Sequence, residues 1–172
     1  EDYAFSSCIK LTNVSLPNGL TKLGISAFSF TEISSIVLPL GITEIPGSCF
    51  SGCHMKYINF HEKLRSIGFF AFFLNTFVSI HLPASLQKIE TYAFARSTAL
   101  TTITVDSNNQ YFKLIDNVLF TKDGSILVLY PAHKPNTAYI VPTTVESISA
   151  MAFGQTTKLK HVQLPSSVRI LY

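Results

Sequence analysis

The chain has 172 residues, of which 47% are hydrophobic and 13% are charged, with a formal net charge of +3. This composition can build a large buried core and excludes an intrinsically disordered chain, and no apolar run reaches the roughly 18 residues of a membrane-spanning helix. The Lys and Arg residues form no block, which argues against nucleic acid as a partner. The three cysteines (Cys8, Cys49 and Cys53) are an odd number and cannot all pair within the chain.

The first recurring element is a short run in which apolar and polar residues alternate. Such alternation, as in Ile80-His81-Leu82, predicts a half-buried strand. A proline usually ends the run, because it cannot donate to a strand ladder. The apolar pairs are Val14/Leu16, Ile36/Leu38, Ile58/Phe60, Ile80/Leu82 and Val162/Leu164, and the closing residues are Pro17, Pro39, His61, Pro83, Pro142 and Pro165.

Two further elements follow each strand. The first is a Leu-x-x-Ile step, which predicts a second short extended segment: Leu20/Leu23, Ile42/Ile45, Leu64/Ile67, Leu86/Ile89, Val145/Ile148 and Val168/Leu171. The second is a small residue followed by phenylalanine, which we expect to pack into the core. These phenylalanines recur every 22 positions at Phe28, Phe50, Phe72 and Phe94, with Phe5 lying 23 before the first and Phe153 continuing the series after an interruption.

The period of 22–23 residues predicts the fold. One turn of this length, called a rung here, cannot bury its own apolar face, but stacked rungs bury it together as columns of like residues. Repeats of 20–29 residues with such columns define one architecture. The sequence therefore predicts a β-rich leucine-rich-repeat solenoid of about seven rungs, with a parallel sheet formed by the proline-terminated strands.

One rung departs from the period. Asp106 replaces the proline after Ile103-Thr104-Val105, and the next such strand starts 36 positions later, at Tyr139. Two apolar runs, 118–120 and 126–130, flank Asp123-Gly124 and predict a β-hairpin. We therefore expect one domain over residues 1–172, with 106–138 as a lengthened rung. Both ends lie in mid-repeat without a polar cap, which predicts an excerpt of a longer array and end-to-end self-association.

The combined pattern L-x-x-I-x-L-P-x-x-L-x-x-I-x-x-x-A-F-x-x-C resembles the BspA-like, or treponemal-type, leucine-rich repeats. The segments 159–165 and 86–94 match it closely. Cys8 and Cys53 occupy the cysteine column of that family, which elsewhere holds Thr31, Asn75, Ser97 and Thr156. The resemblance implies a protein displayed on the cell surface or secreted by a bacterium or parasitic protist, where such proteins are associated with adhesion.

In a solenoid of this type the parallel sheet lies on the concave side, and its outward residues are the expected ligand surface. Seven rungs at ~4.8 Å give a strip about 30 Å long, which suits a protein ligand more than a small molecule. Tyr57 and His81 are its strongest anchors, since their rings give contact area at low entropy cost. This concave strip comprises Ser35, Val37, Tyr57, Asn59, Ser79, His81, Thr102, Thr104, His161 and Gln163, extended by Asn13, Ser15 and Ile140.

These features predict a non-catalytic adhesion or protein-interaction module, with a ligand such as a host cell-surface or extracellular-matrix protein. The alternative is a structural spacer that projects other domains. We expect no catalytic group, cofactor, metal or nucleic acid and no membrane insertion. A zinc site could be considered for Cys49, Cys53, His54 and His61. We instead interpret these residues as structural, with the cysteines as small buried side chains of the core. Calcium at Asp106, Asn108 and Asn109 is a minor alternative, and Asn13-Val14-Ser15 is a glycosylation sequon.

Overall fold

The computed structural model describes all residues from Glu1 to Tyr172 and consists of short strands joined by turns. It contains no helix with the length and apolar character that crossing a bilayer requires. The strands are β1 (Glu44–Ile45), β2 (Ser66–Ile67), β3 (Ser79–Leu82), β4 (Lys88–Ile89), β5 (Thr102–Val105), β6 (Phe112–Ile115), β7 (Val118–Thr121), β8 (Ile126–Leu129), β9 (Ala138–Ile140), β10 (Ser147–Ile148), β11 (His161–Gln163) and β12 (Ile170–Leu171).

The strands stack in parallel from rung to rung, which confirms the predicted solenoid. Five of the six Leu-x-x-Ile steps form one row of strands, β1-β2-β4 and β10-β12, and β8 of the lengthened rung pairs with β10; the Leu20/Leu23 step forms no strand. The proline-terminated strands form a second row, in which β3 pairs with β5 and β9 pairs with β11. In the first three rungs the corresponding segments, 14–16, 36–38 and 58–60, do not form strands, so the predicted sheet is incomplete in that part of the chain.

The residue that closes each strand starts the same tight turn, whether or not it is proline. The carbonyl of Pro39 accepts from the Ile42 amide at 2.9 Å, and the carbonyl of His61 accepts from the Leu64 amide at 3.0 Å. A proline in this position keeps the carbonyl that the turn needs and lacks only the amide, which the turn does not use. His61 can therefore take the place of proline without altering the rung.

The phenylalanine column forms the centre of the core. The rings of Phe5, Phe28, Phe50, Phe72 and Phe94 stack in register, with neighbouring centroids 5.4 to 5.6 Å apart and ring planes within 3° to 9° of parallel. The turns that carry them are hydrogen-bonded between rungs, as where the Phe50 amide donates to the Ala71 carbonyl at 2.9 Å. The preceding residue is small because the next rung passes directly over it.

Three members of the cysteine column, Thr31, Cys53 and Asn75, donate to a buried carbonyl of this turn, whereas the Ser97 hydroxyl makes no such bond. The Phe28 carbonyl accepts from Thr31 Oγ1 and from Cys53 Sγ, both at 2.9 Å. Asn75 Nδ2 donates to the Phe50 carbonyl at 2.8 Å, and Asn75 Oδ1 accepts from the Met55 amide at 2.7 Å. A buried carbonyl needs a partner, which explains why threonine and asparagine can replace cysteine here.

The lengthened rung contains the predicted hairpin and one further strand. Strands β7 and β8 pair antiparallel around the Asp123-Gly124 turn, as expected, and β6 pairs antiparallel with β7 on its other side. Asp116 and Asn117 join β6 to β7 with φ values of 49° and 57°, which aspartate and asparagine tolerate better than most residues. Strand β6 was not predicted, although its Phe112-Lys113-Leu114-Ile115 run precedes a recognisable Asp-Asn turn.

Buried polar side chains hold the lengthened rung to its neighbours. Asn109 is fully buried; its Nδ2 donates to the Pro83 and Leu86 carbonyls, at 2.8 and 2.9 Å. The side chain of Lys134, only 6% exposed, pairs with Asp116 at 3.2 Å. Tyr130 takes the phenylalanine position in this rung, since its amide donates to the Ala152 carbonyl just as the Phe50 amide does to Ala71.

The β7–β8 turn makes a testable prediction about pH. Asp123 Oδ1 accepts hydrogen bonds from Thr121 Oγ1 at 2.6 Å and from the Ser125 amide and hydroxyl at 3.0 and 2.9 Å, and these bonds lower the pKa of Asp123 from 3.8 to about 2. Because the folded pKa is depressed, the carboxylate stabilises the turn above the ordinary pKa, and this contribution is lost as the pH falls through about 2.

An NMR titration of the Asp123 carboxyl should therefore give a midpoint well below 3.8. The Thr121→Val variant removes one donor and should move the midpoint upward. A midpoint at the ordinary aspartate value in the unaltered chain would show that the three hydrogen bonds do not form in solution.

Candidate interaction surface

The two strand pairs bring the predicted strip residues together two by two. The β3–β5 register sets Ser79 beside Thr102 and His81 beside Thr104, and in β9–β11 the residue beside Gln163 is Ile140. The period-two alternation of a strand directs these side chains outward, while Ile80, Leu82 and Ile103 between them are buried. All ten residues of the predicted concave strip are exposed.

His81 and Thr104 form the one hydrogen bond between strip side chains. His81 Nδ1 lies 2.9 Å from Thr104 Oγ1, and the Thr104 hydroxyl lies 3.4 Å from the Ile80 carbonyl. When that hydroxyl donates to the carbonyl, the imidazole donates to Oγ1 and its Nε2 stays free to accept. The hydrogen bond fixes the ring on the surface, so a partner would not have to order it.

The largest strip side chains are apolar or aromatic and strongly exposed. Val37, Tyr57 and Ile140 expose 84%, 72% and 70% of their surface. Val78, which comes just before the predicted strip residue Ser79, is 55% exposed and was missed because the alternation places it outside the strand. Exposed apolar groups of this size along a face whose other members are hydroxyls and amides suit contact with another molecule.

The first three rungs of the strip border a broad depression of about 810 Å³. None of the residues around it carries an acidic or a Lys/Arg side chain. Its edge includes His61, whose Nε2 lies 3.0 Å from the Pro39 carbonyl of the preceding rung. In this part of the chain, backbone hydrogen bonds between neighbouring rungs lie mainly at the start of each strip segment. The Lys56 amide, for example, donates to the Ser34 carbonyl at 2.9 Å. The depression is lined by Asn13, Val14, Ser15, Leu16, Asn18, Ser35, Ile36, Val37, Leu38, Pro39, Leu40, Asn59 and His61.

The strip does not run without a break over all seven rungs. Strand β5 has β3 on one edge, and on the other edge the Asn117 side chain takes the place of a neighbouring strand. Asn117 Oδ1 accepts from the Ile103 amide at 3.1 Å, and Nδ2 donates to the Thr101 carbonyl at 2.7 Å. The β6–β7 turn therefore separates β5 from the β9–β11 pair. His161 and Gln163 consequently belong to a second, smaller patch.

The residues considered for metal binding have other roles. Cys49 and Cys53 are buried, and burial raises the pKa of both thiols, so they stay protonated, and Cys53 Sγ donates to the Phe28 carbonyl. Asn109 Oδ1 already accepts from the Tyr111 and Phe112 amides at 2.8 Å each, so this oxygen is not available to calcium. No three His, Cys, Asp or Glu side chains converge in a way that could hold a metal ion.

Comparison with known proteins gives a family match and a set of similar folds. The profile of the family described as "BspA type Leucine rich repeat region" matches six copies over residues 1–123 and 132–172. The search of curated proteins found no match.

Three solved structures illustrate the likeness of fold. A leucine-rich cell surface protein from Faecalibacterium prausnitzii shares 25% identity at a TM-score of 0.83, over 99% of this chain and 53% of that one. The pneumococcal vaccine antigen PcpA shares 27% identity at a TM-score of 0.78, over 85% of this chain and 37% of that one. A leucine-rich repeat protein from Eubacterium ventriosum shares 23% identity at a TM-score of 0.79, over 89% and 47%. The chain thus spans about half the length of these proteins, or less.

Proposed function

The chain belongs to the BspA-type leucine-rich repeat family, and from this premise we propose that it is a protein-interaction module of a cell-surface or secreted protein. Its ligand lies on the concave strip and is a protein, such as a host cell-surface or extracellular-matrix protein, so that the module serves adhesion. The names of two similar structures, a cell surface protein and a pneumococcal vaccine antigen, support this location. The proposal includes no catalytic step.

The observation that carries the proposal is the exposure of Val37 and Tyr57 on a face whose other side chains are uncharged. Tyr57 exposes 72% of its surface, whereas Ile58 and Phe60, which follow it in the same segment, pack in the core. Apolar area of this kind gains free energy when a partner covers it, and the stacked rungs hold it in place without further ordering. Hydroxyl and amide groups around it supply the polar rim of a protein interface.

The proposal predicts that the Tyr57→Ala/His81→Ala double variant loses binding. The 172-residue chain and its variants would be immobilised and tested against extracellular-matrix proteins and epithelial cells. Removing two anchors from the centre of an interface should weaken binding by about tenfold or more. The double variant should keep the melting temperature of the unaltered chain, because both side chains are exposed.

A matched control comes from a tyrosine and a histidine outside the strip. Tyr111 and His133 are both exposed, so the Tyr111→Ala/His133→Ala variant changes the same residue types at another surface. Binding that only the strip variant loses would support the proposal. Binding that survives in the strip variant would move the site elsewhere. If the unaltered chain binds no protein, the role as a structural spacer is favoured instead.

A further inference from the structure

A second recess lies away from the concave strip, where the lengthened rung passes the phenylalanine turns. An outer cleft of about 390 Å³ is lined by Phe69, Thr91, Tyr92, Ile126, Ser149, Ala150 and Tyr172. A narrow inner recess of about 60 Å³ shares four of these residues with it and reaches Phe94, Leu129 and Met151. The outer volume falls in the range of small-molecule sites, and the inner one admits a group about the size of a hydroxyl.

The cleft exists because one turn of the solenoid is two residues short. Five positions separate Ile89 from Phe94, and five separate Ile148 from Phe153, but only three separate Leu127 from Tyr130 in the same part of the lengthened rung. The missing positions include the left-handed residue that bulges outward in the other turns, at Tyr92 and Met151 (φ 63° and 58°). The turns above and below therefore face each other across a gap.

The two missing residues of the lengthened rung also leave a backbone amide of the preceding rung without a partner. The amides of Phe28, Phe50 and Phe72 each donate to a carbonyl of the next rung, at 2.8 to 2.9 Å. The Phe94 amide, next in this series, has no acceptor in the protein although Phe94 is only 4% exposed. A buried amide without a partner is uncommon in folded proteins, so the inner recess presents a donor that a ligand oxygen can satisfy.

Aromatic rings form one wall of the outer cleft. Phe69 meets Tyr92 edge to face at 5.4 Å, and Phe70 stacks on Tyr92 at 4.8 Å with a 13° angle between the planes. Phe69 is 47% exposed. Tyr92 occupies a left-handed position, a conformation that is unfavourable for a bulky side chain. The same left-handed conformation recurs at Ser26, Ser48 and Phe70, so the regular turn geometry of the repeat is what places the Tyr92 ring at the cleft.

The polar groups of the cleft are hydroxyls, and its charge is balanced. Thr91, Tyr92 and Ser149 each contribute a hydroxyl that makes no hydrogen bond within the protein, and Tyr172, which is strongly exposed, adds a fourth at the rim. Glu90, at the inner recess, is paired with Lys88. Hydroxyls both donate and accept, so they match a ligand whose own polar groups do the same, and nothing here would attract a net charge.

From these features we propose that the cleft binds a neutral sugar residue of a glycan. The C–H face of a pyranose ring would lie on the Phe69–Tyr92 wall, its hydroxyls would exchange hydrogen bonds with Thr91 and Ser149, and one hydroxyl would enter the recess to accept from the Phe94 amide. A sialylated or sulfated sugar finds no free cation among the residues that line the cleft. This site is separate from the concave strip and does not depend on the function proposed for it.

The test compares glycan binding by the 172-residue chain and three variants on a panel of immobilised neutral and acidic oligosaccharides. Tyr92→Ala removes the aromatic wall, and Ala150→Trp fills the cleft while leaving every hydroxyl in place. Both should weaken binding to neutral glycans by about tenfold or more. Tyr57→Ala, on the concave strip, should leave glycan binding unchanged, which separates this site from the protein-binding surface.

Titration of the unaltered chain with methyl glycosides, followed by NMR, keeps the test independent of how well the variants fold. The amide signals of Tyr92, Phe94 and Ser149 should shift in a saturable manner. The proposal is overturned if no neutral glycoside shifts these signals at millimolar concentration, or if only acidic glycans or peptides bind. Unchanged glycan binding by a folded Ala150→Trp variant overturns it as well.

Discussion

Replacing Phe72 by alanine is expected to lower the free energy of unfolding by about 3–5 kcal/mol. The ring is fully buried and stacks between Phe50 and Phe94, with centroids 5.6 and 5.4 Å away. Phe60 and Phe77 close the remaining sides at 5.6 Å each. The rungs above and below are fixed by backbone hydrogen bonds and cannot collapse into the space, so the variant keeps a cavity in the middle of the array.

The matched control is Phe30→Ala, because Phe30 lies in the corresponding turn two rungs earlier but exposes 53% of its surface. Its loss should cost about 1 kcal/mol or less. Urea denaturation followed by circular dichroism gives both free energies. Equal effects of the two substitutions would mean that the stacked column is not the centre of the core.

Replacing Asn109 by alanine is expected to lower the free energy of unfolding by a similar amount, about 3–5 kcal/mol. The cause here is the loss of hydrogen bonds to buried polar groups, whereas for Phe72 it is a cavity. The Asn109 side chain makes four hydrogen bonds, two to the Pro83 and Leu86 carbonyls and two from the Tyr111 and Phe112 amides. Alanine leaves the Leu86 carbonyl and the Phe112 amide unpaired beside the core, and the Pro83 carbonyl keeps only the Leu86 amide as its donor. The lengthened rung should therefore be held less firmly to the rung before it.

The neighbouring Asn108 is the control for this prediction. Its side chain is exposed, and the Asn108→Ala variant should change the free energy of unfolding by no more than about 0.5 kcal/mol. Hydrogen exchange of the β6–β7 amides would locate the damage, since Asn109→Ala should speed exchange there first. Comparable destabilisation by the two variants would contradict the anchoring role of Asn109.

The regular rungs could be predicted from the sequence in detail. The phenylalanine, proline and Leu-x-x-Ile columns all lie where the 22-residue period places them, because each rung repeats the same short-range turn. The replacement of proline by His61 and of cysteine by Asn75 could also be anticipated. In both cases a backbone carbonyl of the turn keeps its hydrogen bond, that of His61 from the Leu64 amide and that of Phe50 from Asn75 Nδ2. The hairpin around Asp123-Gly124 was recognisable for a similar local reason.

The candidate sites were less accessible to sequence reasoning. Alternation identified which strip residues face outward, and the structure places all of them on the surface. The break in the strip at Asn117 was not predicted. It arises because the Asn117 side chain bonds to the Ile103 amide, 14 positions away, at the strand edge where a neighbouring strand would otherwise pair. The aromatic cleft was also missed, since Phe69 and Tyr92 read in sequence only as variable turn residues.

The sequence by itself determined the solenoid, the order of its columns and the residues of its core. These follow from burial of side chains at a fixed period, which is visible in a linear pattern. Only the tertiary structure decided how the lengthened rung joins the regular ones: the strand β6, the buried Asn109, the interrupted strip and the cleft beside Phe94. Each of these depends on whether a backbone group finds a partner in the next rung, and residues distant in sequence determine that partner.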